Sequence, residues 1–145
     1  MNSNLSLMNN KLNNPSESTT LMQWPIQIKL IGTINPKFDN CDLLIAADCT
    51  AYAYANIHNE FIKGKVTLIG CPKLDAVDYS EKLTEILTKN TIKSITVLRM
   101  EVPCCANMVN VVKKAIENST KNIPLKVSIV SVDGKLKLLF TYSWL

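Results

Sequence analysis

Short apolar runs alternate with amphipathic stretches along this chain, and that alternation limits what it can fold into. Asp42 to Ala47, Val66 to Ile69, Ser94 to Met100 and Val127 to Val130 are each short and rich in Val, Ile and Leu. Such runs mark strands covered on both faces, as in a parallel sheet. The segments between them are spaced for helices. Tyr54, Ile57 and Phe61 share a face in a helix expected from Ala51 to about Ile62, with Thr50 as N-cap and Gly64 as stop. Leu83, Ile86 and Leu87 share another face, behind Asp78 and Glu81, which are spaced as a capping box. Pro103 leads into a third helix, from about Cys105 to Asn118, with Val109, Val112 and Ile116 on one side. Strand–helix alternation predicts a three-layer α/β fold with a mainly parallel sheet of about five strands and flanking helices.

The two ends of the pattern differ from its middle. Ile26, Ile28 and Leu30 alternate with Gln27 and Lys29, which predicts a strand with one covered face. Asp133-Gly134 predicts a two-residue turn, after which Lys135 to Leu138 return as an antiparallel edge strand, closing a C-terminal hairpin. Lysines on that strand discourage pairing with other chains. Residues 1–22 are rich in Asn and Ser and bury too little apolar surface to offset ordering entropy, so a disordered arm is expected there, with a single domain over 23–145.

Composition excludes several classes of function. The net charge of +4 comes from scattered lysines, with no basic run interleaved with aromatics, so a nucleic-acid groove is not indicated. No apolar stretch reaches the ~18 residues of a membrane span, and the first 20 residues lack the apolar core of a secretion signal. With an odd number of cysteines, five, a disulfide framework is not expected, and a cytoplasmic location with reduced thiols is. There is no Gly-x-Gly-x-x-Gly and no Walker loop, so nucleotide binding of the usual kinds is disfavoured.

The chemistry lies in the thiols. Cys49, Cys71 and the pair Cys104-Cys105 each follow a predicted strand within a few residues. In open α/β sheets ligands sit beyond the carboxyl ends of the strands, so successive strand ends deliver these four thiols to one rim. Thiolates suit zinc, copper(I) and iron–sulfur clusters. The gaps of 22 and 33 residues match no linear zinc or ferredoxin pattern, so the reading rests on fold geometry, against the alternative of buried cysteines acting as small hydrophobes. Cys104 and Cys105 lie near a helix start, where the positive dipole end is expected to lower a thiol pKa. Of this adjacent pair one is expected to be a ligand. Arg99 either offsets thiolate charge or is a solvated strand-end residue, and Cys41 is assigned to packing. His58, the only histidine, falls two turns into the expected helix, roughly 10 Å along its axis, which argues against a Cys–His pair. Asp48 is read as a cap for that helix, and Glu101 as the one acid close to the site.

Several of these segments resemble a family. Leu43-Leu44-Ile45-Ala46-Ala47-Asp48-Cys49-Thr50-Ala51, His58-Asn59-Glu60-Phe61, Gly70-Cys71-Pro72-Lys73-Leu74-Asp75 and Arg99-Met100-Glu101-Val102-Pro103-Cys104-Cys105 are similar to the C-terminal α/β domain of clostridial-type [4Fe–4S] ferredoxin-family proteins. The resemblance spans about 23–134. It implies iron–sulfur binding and electron transfer with a redox protein partner, and carries over only Cys49, Cys71, Cys104 and Cys105. The N-terminal two-cluster module of that family has no counterpart here, where the Asn/Ser-rich arm stands instead. Ala106-Asn107 replaces a glycine-rich stretch, and Thr141 to Leu145 is foreign to the pattern.

Three functions follow as expectations: a redox or metal-binding protein with an iron–sulfur cluster (zinc as the alternative), a metal-free docking or regulatory domain for a redox partner, and, more weakly, an enzyme using Cys104 or Cys105 as nucleophile. The last lacks a convincing base.

Overall fold

A computed structural model describes residues 18–142. Among them, five strands form one sheet: β1 (Cys41–Ala47), β2 (Val66–Gly70), β3 (Ile92–Met100), β4 (Leu125–Val130) and β5 (Leu136–Tyr142). Their order is β2-β1-β3-β4-β5, with β1 to β4 parallel and β5 antiparallel to β4. The fold is the expected three-layer α/β arrangement with a C-terminal hairpin.

The two outer layers are unequal. α2 (Tyr79–Lys89) and α3 (Ala106–Ser119) cover one face. Leu83, Ile86 and Leu87 of α2 and Met108, Val112 and Ile116 of α3 are buried against Leu43, Ile45, Leu68, Ile95 and Val97 of the sheet. Each such side chain stabilises the fold by roughly 1.5–3 kcal/mol. Asp78 caps α2 by accepting from the Ser80 N–H at 2.9 Å. At the other end the Lys121 ammonium donates to the carbonyls of Leu87, Thr88 and Asn90 at 2.7, 3.2 and 2.9 Å.

The second face has a thinner cover. The helix expected over 51–62 exists only as α1 (Thr50–Ala53). Tyr54 is extended (φ −108°, ψ 106°), and the chain resumes as a single π turn, His58–Ile62. The apolar spacing was real, but it serves two short pieces: Tyr54 and Phe61 meet edge to face at 5.7 Å, and the Tyr54 hydroxyl donates to Glu60. Cys49, not Thr50, occupies the N-cap position, and the Thr50 hydroxyl donates to the Ala47 carbonyl at 2.8 Å.

The expected strand at 26–30 is a single parallel bridge from Gln27 to Ile69. Backbone bonds from Leu30 and Ile31 N–H to the Gln27 carbonyl turn the chain, so Ile28 and Ile31 are buried while Leu30 is 69% exposed. This segment covers the outer edge of β2, and the Gln23 side chain bonds both backbone groups of Thr67. Residues 18–22, expected in the arm, touch the domain through Leu21 and Thr20; the rest of that expected arm lies outside the described residues. The hairpin turn is longer than two residues. Gly134 alone there has positive φ (88°), its N–H donates to the Ser131 carbonyl, and Ser131 N–H reaches Lys135, leaving three residues in the loop.

Candidate functional site

From β1 the chain passes to β2 on one side, then crosses back to β3 on the other, so the strand order reverses between β1 and β3. A crevice opens at such a point, beyond the carboxyl ends of the strands. Cys49 follows β1 directly, and the turn Pro103–Cys105 after β3 carries Cys104 and Cys105. All five cysteines are free thiols; Cys49 and Cys104 are exposed and Cys105 is buried.

The strands that Cys49 and the Cys104-Cys105 pair follow, β1 and β3, are paired neighbours in the sheet. Burial is the main cause that raises the Cys105 pKa, and the charges of Cys104 and Cys49 add to it; the Met100 backbone opposes them. The expectation of a lowered pKa at this helix start therefore fails for Cys105. Its side chain sits among Leu98, Met100 and Val130 under the thin layer, and the cost of desolvating a thiolate exceeds what the nearby amides return. Cys41 is buried at the opposite end of β1, as expected of a packing residue, and its pKa is pushed up to about 11, first by burial and then by Asp42.

Cys71 stands apart from this trio. It follows β2 on the far side of β1, and its N–H donates to the Tyr79 hydroxyl at 2.9 Å. That hydroxyl in turn donates to Asp75, so Tyr79 ties the β2 end to the turn before α2. A Cβ on Gly70 would fall 2.6 Å from the same hydroxyl, which leaves room there for glycine alone. Two features of the sequence mark this lock, the i, i+4 spacing of Asp75 and Tyr79 and a glycine ending an apolar strand.

The other residues singled out earlier take different places. Asp48 caps no helix; its Oδ1 is buried without a partner among the described residues, and its pKa is raised by burial and by Asp75, with Gln27 opposing. His58 is not two turns away from the rim. Because the helix stops at Ala53, His58 lines the same cavity as Asp48. Arg99 alternates with Leu98 and Met100 and so faces the α2/α3 side, away from Cys105, while Glu101 pairs with Lys137 at 3.2 Å. Thr67, a polar residue inside an apolar strand, was not singled out and is 2% exposed.

Thiol donors suit soft metals and iron–sulfur clusters in chemistry. Among the described residues, no three His, Cys, Asp or Glu side chains stand where they would enclose one ion, so ligation would draw the thiols together. No helix of the described residues is long and apolar enough to cross a membrane.

A family model described as a Rossmann-like domain matches residues 35–142. An uncharacterized protein of Archaeoglobus fulgidus is 33% identical over 116 residues, which cover 79% of this chain and 81% of that relative. No solved structure matches.

Proposed function

The chain belongs to the Rossmann-like domain family, and we propose that it serves electron transfer through a thiolate site where the strand order reverses. The observation that carries this reading is that Cys49 and the Cys104-Cys105 pair follow β1 and β3, adjacent strands between which the strand order reverses. Cys49, Cys104 and Cys105 would hold an iron–sulfur cluster, with Cys71 from the neighbouring strand end as the fourth thiol and zinc as the alternative occupant. A bound cluster supplies a one-electron carrier. The chain's own part is to hold Cys105 in an apolar setting that limits water, and to leave Cys49 and Cys104 on the side open to a redox protein partner. Such thiols function reduced, in keeping with a cytoplasmic location.

A second reading is a metal-free docking domain for the same kind of partner. It is favoured by the packing of Cys105 and by the spacing of the donors, none of which close around an ion as they stand. Anaerobic purification followed by iron, sulfide and zinc assays separates the two. The thiolate reading predicts stoichiometric metal that falls severalfold in Cys49→Ser and Cys105→Ser. Trace metal, unchanged in both variants, overturns it and leaves the docking role.

A further inference from the structure

A cavity of about 170 Å³ lies between the second face of the sheet and the 50–62 segment. Most of its wall is aliphatic: Leu44, Ala46 and Ile69 of the sheet, Ile57 and Ile62 above them, and Leu21. The polar side chains along it are engaged or closed off. The Thr50 hydroxyl donates to the Ala47 carbonyl at 2.8 Å, His58 Nδ1 bonds the Thr20 hydroxyl at 2.8 Å, and Asp48 accepts from Gln27. Asp48 Oδ1 and Thr67 Oγ1 are buried too deeply to offer surface to a ligand. Interiors are close-packed, so a void larger than a water molecule needs a cause. Here the helix stops at Ala53 and Tyr54 is extended, while Ala46 and Ala51 leave room that larger side chains would fill.

We propose that this cavity binds a small neutral molecule with a hydrocarbon body of about benzene's size. The size follows from the volume, which slightly exceeds the ~150 Å³ of an apolar cavity known to take benzene. Neutrality follows from the wall. An anion entering from water would lose its hydration beside the Asp48 carboxylate. A cation would find one oxygen of that carboxylate sealed behind the wall, with Gln27 already bonded to the group. Water fits the space no better, since each molecule needs about two to four polar partners and an aliphatic wall gives none. A hydrocarbon body restores the close contacts that the void withholds from Leu44, Ile57 and Ile69. This site is independent of the thiols and stands whether or not they hold a metal.

The test titrates benzene, benzylammonium and benzoate into the ¹⁵N-labelled full chain. Benzene should shift the amides of Ala46, Ile57 and Ile69 and bind at least about tenfold more tightly than either ion, which is about 1.4 kcal/mol. Ala51→Leu adds volume from an exposed position of α1 and should weaken benzene severalfold, with folding checked by thermal melting. Ala46→Val, which fills the cavity from the sheet side, should do the same. Binding of either ion as tight as that of benzene, shifts confined to another surface, no benzene binding up to its solubility limit, or undiminished binding in either folded variant would each overturn the proposal. The wild-type comparison decides even if a variant fails to fold.

Discussion

Replacing Gly70 with alanine should be costly out of proportion to one methyl group. The added Cβ would lie 2.6 Å from the Tyr79 hydroxyl, 2.8 Å from its Cζ and 3.1 Å from Cε2, all closer than van der Waals contact allows. Tyr79 is 2% exposed, so its ring has nowhere to retreat without displacing the core around it. Overpacking of this kind costs about 1–3 kcal/mol. Moving the ring also breaks the bond from the Cys71 N–H, at 2.9 Å, and the bond to Asp75, at about 1 kcal/mol net each. Alanine restricts the unfolded chain and returns roughly 0.5 kcal/mol. The balance is a loss of about 2.5–4.5 kcal/mol. At roughly 2–4 °C per kcal/mol for a chain near this size, the melting temperature should fall by about 5–18 °C. Urea denaturation with Gly32→Ala as control measures it, because the nearest atom to a Cβ at Gly32 is 3.8 Å away and that variant should be near neutral. A cost for Gly70→Ala below about 0.5 kcal/mol, the size of a neutral surface change, would refute the claim that Tyr79 is locked at the end of β2.

Two further perturbations test other parts of the fold. The Cys41 thiol, raised from 9.0 to about 11, is protonated in the folded chain where the unfolded chain has begun to ionise. Its contribution is therefore complete below about pH 9 and lost as pH rises toward 11, and Cys41→Ala should flatten the decline in stability across that window; identical slopes by urea titration would refute it. Lys121→Met removes the ammonium that closes the end of α2 and should cost about 2 kcal/mol by the same assay, since three carbonyls lose a charged donor; a loss under about 0.5 kcal/mol would show those bonds to be replaced by water.

What could be read in advance depended on how far along the chain each cause acts. Apolar runs such as Leu43 to Ala47 and the stripe Leu83, Ile86, Leu87 answer to burial, which leaves its period in the sequence, and they became β1 and α2. Tyr54, Ile57 and Phe61 had equally good spacing, yet spacing cannot show that the chain between them leaves the helix at Tyr54. The position of His58 was misjudged for that reason alone, since 1.5 Å per residue holds only in an unbroken helix. At 26–30, alternation suggested a strand, whereas the two buried side chains, Ile28 and Ile31, are three apart on a turn. Cys49, Cys104 and Cys105 were legible at one rim because each follows a parallel strand, and the carboxyl ends of parallel strands share one edge of the sheet. Cys71 reached the same rim, but its backbone is tied to Tyr79, a partner eight residues away that no strand pattern reveals.

The inequality of the two outer layers has a dynamic consequence. One side of the sheet is closed by helices of 11 and 14 residues, the other by one helical turn, an extended residue and one π turn. Free energy for local opening scales with the packed area and the backbone bonds an element contributes, so residues 50–62 form the less cooperative unit. Their amides should exchange with solvent well before those of Leu83 to Leu87 or Val111 to Ile116. Each such excursion uncovers Phe61, Ile62 and the wall behind Cys105 while the α2/α3 side stays folded, so the molecule breathes from one side only.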